Sequence, residues 1–286
     1  MPTVHANGVD IYYEVHGRGD ATPLVLLHGM AGSSQQWLPA TLPLAEKRPL
    51  ILPDFRGHGR SSVLADVADY SIPIFAADIA AFLDAIGVER AHIGGQSLGG
   101  FTTAQLAVDF PEKCAALLLC DTSCGNGAEP GPAGEWESYV RGAIGMRGQR
   151  AQEVGLEESV RLEFEWRKEN DPHFAESPYT MESYLERMKD VKVEGYVGVS
   201  QAIVERPDLT GRIGGIATPA LVIIGEWDGF YPCAVRDHGL IPGARLVVRR
   251  RCGHGFKWRT ETWLAEIESF LGDVEDGRDV AGERQV

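Results

Sequence analysis

The 286-residue chain has no apolar run long enough to cross a bilayer. Its start, Met1-Pro2-Thr3-Val4-His5-Ala6-Asn7-Gly8, lacks the basic stretch and apolar run of a secretory leader, so a cytoplasmic location is expected. Positive charge is scarce: 27 Lys and Arg stand against 41 Asp and Glu, a formal net charge of −14. Such a surface repels phosphate backbones and anionic lipid, which argues against nucleic acid or a membrane as partner. Cysteine is sparse as well. Cys114, Cys120, Cys124, Cys233 and Cys252 include no C-x-x-C pair, so no disulfide framework, no metal site and no cofactor is expected. No feature of the sequence identifies a protein partner.

What is present is an ordinary globular composition, 44% hydrophobic and 24% charged, in a chain long enough for one α/β domain with an insertion. Val9, Ile11, Tyr13 and Val15 alternate with polar or smaller residues, the pattern of an antiparallel edge strand. Buried-type strands are then expected near 23–28, 49–54, 90–95, 114–121, 219–225 and 244–250. They alternate with helices expected near 34–46, 73–86, 98–109, 232–240 and 260–272. The alternation predicts an α/β fold, a mostly parallel sheet with helices on both faces.

One turn stands out. Gly95-Gln96-Ser97-Leu98-Gly99 joins a short apolar strand to a helix, and glycines on both sides of Ser97 let a sharp, strained turn lift its hydroxyl into the open. Two other strands end in suitable partners: Leu221 to Ile224 runs into Gly225-Glu226-Trp227-Asp228, and Ala244 to Val248 leads through Cys252-Gly253 to His254. Nucleophile, acid and base thus follow in the order Ser97, Asp228, His254, each just past the carboxyl end of a strand, where open α/β sheets hold their ligands. A serine hydroxyl needs a base to take its proton, imidazole can accept and return that proton near neutrality, and a carboxylate fixes the imidazole tautomer. Glu226 and Asp121, at neighbouring strand ends, compete with Asp228 for that last role. The backbone N–H of Leu98, in the first turn of the helix after Ser97, suits a developing oxyanion.

Together with His28-Gly29-Met30 and Asp54-Phe55-Arg56-Gly57-His58-Gly59-Arg60-Ser61, these motifs resemble those of the α/β-hydrolases over nearly the whole chain. The chain is most similar to the branch holding 3-oxoadipate enol-lactonases, cofactor-free haloperoxidase-type esterases and meta-cleavage-product hydrolases. The resemblance implies an α/β-hydrolase fold, Asp228 as the acid, the Met30 N–H as second oxyanion donor, and a bracing role for the 54–61 loop. It also implies that a serine nucleophile attacks an ester, lactone, thioester or activated ketone.

Strand and helix alternation stops between Thr122 and Arg212. The domain expectation is therefore a core of residues 1–121 and 213–272, a helical cap over 122–212, and a disordered tail over 273–286. Met181, Tyr184, Leu185 and Met188 recur at helical spacing, as do Tyr196, Val199 and Ile203, either seating the insertion on the core or lining a pocket. Trp37, Trp136, Trp166, Tyr184, Trp227 and Phe256 are candidate pocket residues, and their aromaticity points to an apolar or aromatic small-molecule ester or lactone. Carbon–carbon hydrolysis of a vinylogous diketone and a non-catalytic small-molecule receptor are the alternatives.

Overall fold

A computed structural model describes residues 2–286. The chain enters through two strands, β1 (Thr3–Ala6) and β2 (Val9–His16), which pair antiparallel, and β2 pairs antiparallel with residues Leu50–Pro53. The interior strands are β3 (Leu24–Leu27), β4 (Leu50–Pro53), β5 (Ala91–Gln96), β6 (Cys114–Cys120), β7 (Ala220–Gly225) and β8 (Arg245–Arg249). Nearly every one of their residues is buried, as expected for strands covered on both faces. With β9 (Gly282–Gln285) the order is β1-β2-β4-β3-β5-β6-β7-β8-β9, and every pairing from β4 through β9 is parallel.

Alternation along each strand sends side chains to two cores. Val25, Leu27, Ile93 and Leu117 pack with Phe75 and Ile79 of α1 (Ile72–Ala85) and Phe101 of α2 (Leu98–Asp109). Five helices then intervene between β6 and β7: α3 (Pro132–Val154), α4 (Leu156–Asn170), α5 (Pro172–Ala175), α6 (Met181–Met188) and α7 (Val193–Val204). After them, α8 (Tyr231–Leu240) joins the first core through Cys233 and Ala234. Trp263, Ile267 and Phe270 of α9 (Thr260–Glu275) cover the opposite face with Trp37, Leu24 and Leu26.

The insertion is attached unevenly. Val199, Ala202 and Ile203 of α7 belong to the first core, and a Cβ on Gly195 would lie 2.0 Å from the Gly57 carbonyl oxygen, so backbone meets backbone there. Met188 and Tyr196 instead join Val160, Ala151 and Ala31 in a separate small cluster.

Two expectations are corrected. Residues 34–46 form two short 3₁₀ turns, Ser34–Trp37 and Leu42–Glu46, because Pro39 and Pro43 withhold the N–H groups a continuous helix requires. The tail expected to be disordered completes α9 and forms β9. Arg250 N–H donates to the Val286 carbonyl (2.7 Å) and Val286 N–H to that of Val248 (3.0 Å), while Arg245 holds Asp273 at 2.7 Å. All four residues of the strand are exposed and none is apolar, so no apolar pattern announced it. No helix among the described residues is long and apolar enough to cross a membrane.

Candidate active site

Ser97 stands at the junction of β5 and α2 with φ 56° and ψ −110°, a conformation rare for a residue bearing a side chain. The turn closes because its glycines are missing a side chain: a Cβ on Gly95 would fall 2.2 Å from the Gly99 carbonyl oxygen, and one on Gly99 2.1 Å from that of Leu27. From Ala91 to Gly100, Ser97 alone is not buried. Its carbonyl accepts from Thr122 Oγ1 (3.1 Å) and from Phe101 N–H (2.9 Å), which pins the turn from both sides.

His254 Nδ1 donates to Asp228 Oδ2 at 2.8 Å, and the other Asp228 oxygen accepts from Phe230 N–H at 2.9 Å. Burial lowers the His254 pKa, but the Asp228 charge and hydrogen bond outweigh it, and the net direction is upward from 6.5. The competing carboxylates are engaged elsewhere. Asp121 is fully buried against Arg249, both oxygens 3.2 Å from its Nη2, and accepts the Gly255 N–H at 2.9 Å, so it supports the loop that carries His254. Glu226 accepts from Arg251 N–H at 2.9 Å.

The second ring nitrogen of His254 faces Gln96, whose Nε2 lies 3.1 Å from His254 Nε2. Gln36 Nε2 donates to Gln96 Oε1 (3.3 Å), and Gly29 N–H donates to Gln36 Oε1 (3.0 Å). Below this chain, His28 accepts the Phe55 N–H on Nε2 (3.0 Å) and His58 accepts the Ala31 N–H on Nε2 (2.9 Å). Gly29 and Ala31 therefore have their N–H groups committed. The Met30 N–H between them has no acceptor among the described residues, and neither does that of Leu98, the first helical residue of α2.

A cavity of about 1270 Å³ opens over these groups, lined by Ser97, Asp228, His254, Gln36, Gln96 and Met30. Among the aromatic candidates, Trp136, Trp166, Tyr184, Trp227 and Phe256 line it. Trp37 does not: it is fully buried, stacked on Trp263 with ring centroids 5.5 Å apart, because its 3₁₀ turn directs it into the core beneath α9. The Leu98 side chain is likewise fully buried, leaving only its backbone near the site. Among the described residues no three His, Cys, Asp or Glu side chains gather where they could hold a metal ion.

Sequence inspection missed the cations of the cavity wall, of which Arg150, Arg187 and Lys257 have no carboxylate partner among the described residues. Arg187 lies over the Tyr184 ring at 4.7 Å, with its Nε buried and without a hydrogen-bond partner. The Lys257 pKa is lowered by burial and by the nearby Arg187 charge. Arg147, Arg167 and Lys189 in the same wall pair instead with Glu163, Asp171 and Glu186. No motif marks Arg150, Arg187 and Lys257, and only the cavity brings them together.

Residues 22–259 match the sequence profile of the alpha/beta hydrolase fold. A RutD protein of Azorhizobium caulinodans, whose name proposes a carbamate hydrolase, is 41% identical over 119 residues, 42% of this chain and 43% of that one. The 3-oxoadipate enol-lactonase 2 of Acinetobacter baylyi is 28% identical over 228 residues, 79% of each chain. The solved enol-lactonase of Burkholderia xenovorans LB400 superposes with a TM-score of 0.79 at 24% identity, covering 95% of this chain and 100% of that one.

Proposed function

The chain belongs to the alpha/beta hydrolase fold family, and from that premise we propose that it is a serine hydrolase cleaving a carboxylic ester or lactone through an acyl-enzyme at Ser97. The observation that carries the proposal is the imidazole of His254, clamped by Asp228 at 2.8 Å and facing the same cavity as the raised Ser97. Asp228 fixes the proton on Nδ1 and leaves the Nε2 lone pair to act as base.

Ser97 Oγ adds to the substrate carbonyl carbon while its proton passes to His254 Nε2. The carbonyl oxygen becomes an oxyanion within reach of the Met30 and Leu98 N–H groups, each such donor typically contributing about 3 kcal/mol to the transition state. The tetrahedral intermediate expels the alkoxide, which takes the proton from His254, and in a lactone that alkoxide stays tethered to the acyl group. Water, deprotonated by His254, then adds to the acyl carbon and Ser97 Oγ leaves with the proton. The dipole of α2 adds to the donor at Leu98. Trp136, Trp166, Trp227 and Phe256 support an apolar or aromatic substrate, and the unpaired Arg187 and Lys257 support one that also bears an anionic group. The enol-lactonase relatives add weight to a lactone.

The test is acid release in a pH-stat from a panel of neutral and carboxylate-bearing esters and small lactones, run beside Ser97→Ala. Turnover that falls about 10⁴-fold or more in the variant is expected. Turnover that survives the substitution sinks the proposal.

A further inference from the structure

We propose that Gln96 and Gln36 form an amide relay that favours the neutral form of His254, against the pull of Asp228, and ties its protonation to the loop holding the Met30 N–H; the role assigned to the relay rests on His254 being the base. Both glutamines are positioning residues. The polarity of the relay follows from one fixed point. Asp228 accepts from His254 Nδ1 (2.8 Å), so the neutral ring carries its lone pair on Nε2, and the group 3.1 Å away must donate. That orients the Gln96 carboxamide with Nε2 toward the ring and Oε1 toward Gln36. Gln36 must then offer its own Nε2 to Gln96 (3.3 Å), which turns Gln36 Oε1 onto the Gly29 N–H (3.0 Å). Every member has one orientation consistent with its neighbours.

Protonation of His254 breaks this consistency. An N–H would then face the Gln96 N–H, two donors in opposition. If Gln96 flips to present Oε1, its amide nitrogen meets that of Gln36. If Gln36 flips in turn, its amide nitrogen meets the backbone N–H of Gly29, which cannot reverse. The conflict therefore ends in a lost hydrogen bond at Gly29, one residue before Met30. Gln96 is 7% exposed, so most of its surface is turned to protein even though its amide borders the cavity. The relay thus favours the neutral ring between turnovers, and it loosens the Gly29–Met30 loop while the imidazolium exists.

The sign is testable without any substrate. In a Ser97→Ala background, the His254 ring is titrated by NMR with Gln96 and Gln36 intact, with Gln96→Met and with Gln36→Met; folding is checked by circular dichroism. Gln96→Met removes a donor to the neutral ring and raises the pKa by about half a unit to one unit, the shift of one ordinary hydrogen bond. Gln36→Met, which touches neither His254 nor Ser97, raises it by a smaller but resolved amount, because Gln96 is released to turn its oxygen to the imidazolium. A structural role for Gln36 would leave the titration in place. An unmoved or lowered pKa in Gln36→Met overturns the relay. In the unsubstituted chain, an NOE between the Gln96 carboxamide protons and His254 Hε1 is expected above the ring pKa, and its absence overturns the relay even if both variants misfold. Ester assays on the unsubstituted chain report separately on the proposed hydrolysis: a silent panel with the expected titrations leaves the relay standing and removes the hydrolase.

Discussion

His28 and His58 lie on the loops after β3 and β4, and His254 lies on the loop after β8, at the same end of one sheet. The first two are fully buried, and each accepts a backbone N–H on Nε2, from Phe55 at 3.0 Å and from Ala31 at 2.9 Å. Burial pushes their pKa values down from 6.5, to about 4 and about 3. His254 opens onto the cavity, donates to a carboxylate, and has its pKa raised. One side-chain type thus yields two outcomes. Where the partner is an amide N–H and burial dominates, the ring is neutral scaffolding; where the partner is a carboxylate beside open space, it is suited to serve as a base.

The comparison breaks most visibly by removing the proposed base. His254→Ala is expected to lower kcat/KM for the best ester about 10⁴- to 10⁶-fold with the unfolding midpoint little changed. Asp228→Asn should cost about 10⁴-fold, because the tautomer is lost while the shape is kept. Asp121→Asn sharpens the contrast: it leaves Arg249 buried without its counter-charge and should cost about 3–5 kcal/mol in urea unfolding, with the activity per folded molecule far less affected. Loss of chemistry in Asp121→Asn together with its retention in Asp228→Asn would exchange the two roles. His58→Phe should cost about 1–3 kcal/mol, since the Ala31 N–H loses its only acceptor among the described residues.

The pH dependences should run in opposite directions. For His28 and His58 the unfolded chain binds protons first, so their contribution to stability is complete above 6.5 and is lost as pH falls toward about 4 and 3. For His254 the raised pKa makes its pairing with Asp228 stabilising below 6.5, and that contribution is lost as pH rises through the folded value. The proposed hydrolysis needs the neutral ring and should climb over that same interval, with the acid limb of kcat/KM centred above 6.5. An acid limb below that value would contradict the pairing. The smallest expected effect is that of Arg187→Met: the preference for a carboxylate-bearing ester over its neutral analogue should fall about tenfold, mostly through KM, the size of one charged hydrogen bond.

The central strands were legible because burial on both faces leaves unbroken Leu, Val and Ile runs, and the placement of Ser97, Asp228 and His254 at one end of the sheet was legible because each follows such a run. Trp37 was misplaced because its type suits a pocket as well as a core, and the sense of a 3₁₀ turn decides between them. β9 was invisible, since Gly282–Gln285 is exposed and carries no apolar side chain. The glutamines went unnoticed for a different reason. An amide has no pattern of its own, and Gln36 and Gln96 meet only because β3 and β5 are neighbours in the sheet.

The backbone contact between Gly195 and Gly57 has a consequence for the wall of the cavity. With α7 seated on the core there, and with α3 anchored to α8 through Glu137 and Arg236 at 2.8 Å, these two helices form a fixed doorframe. Between them lie α4 to α6, whose rings Phe164, Phe174 and Tyr184 pack on one another, and which lean on α3 and α7 through Val160, Met188 and the Arg147–Glu163 pair. They meet the core where His173 stacks on Trp227 at 4.5 Å and where the Tyr179 hydroxyl covers Gly255. Both contacts rest on the loops that carry Asp228 and His254, so any displacement of α4 to α6 would be felt at the two loops that position those side chains.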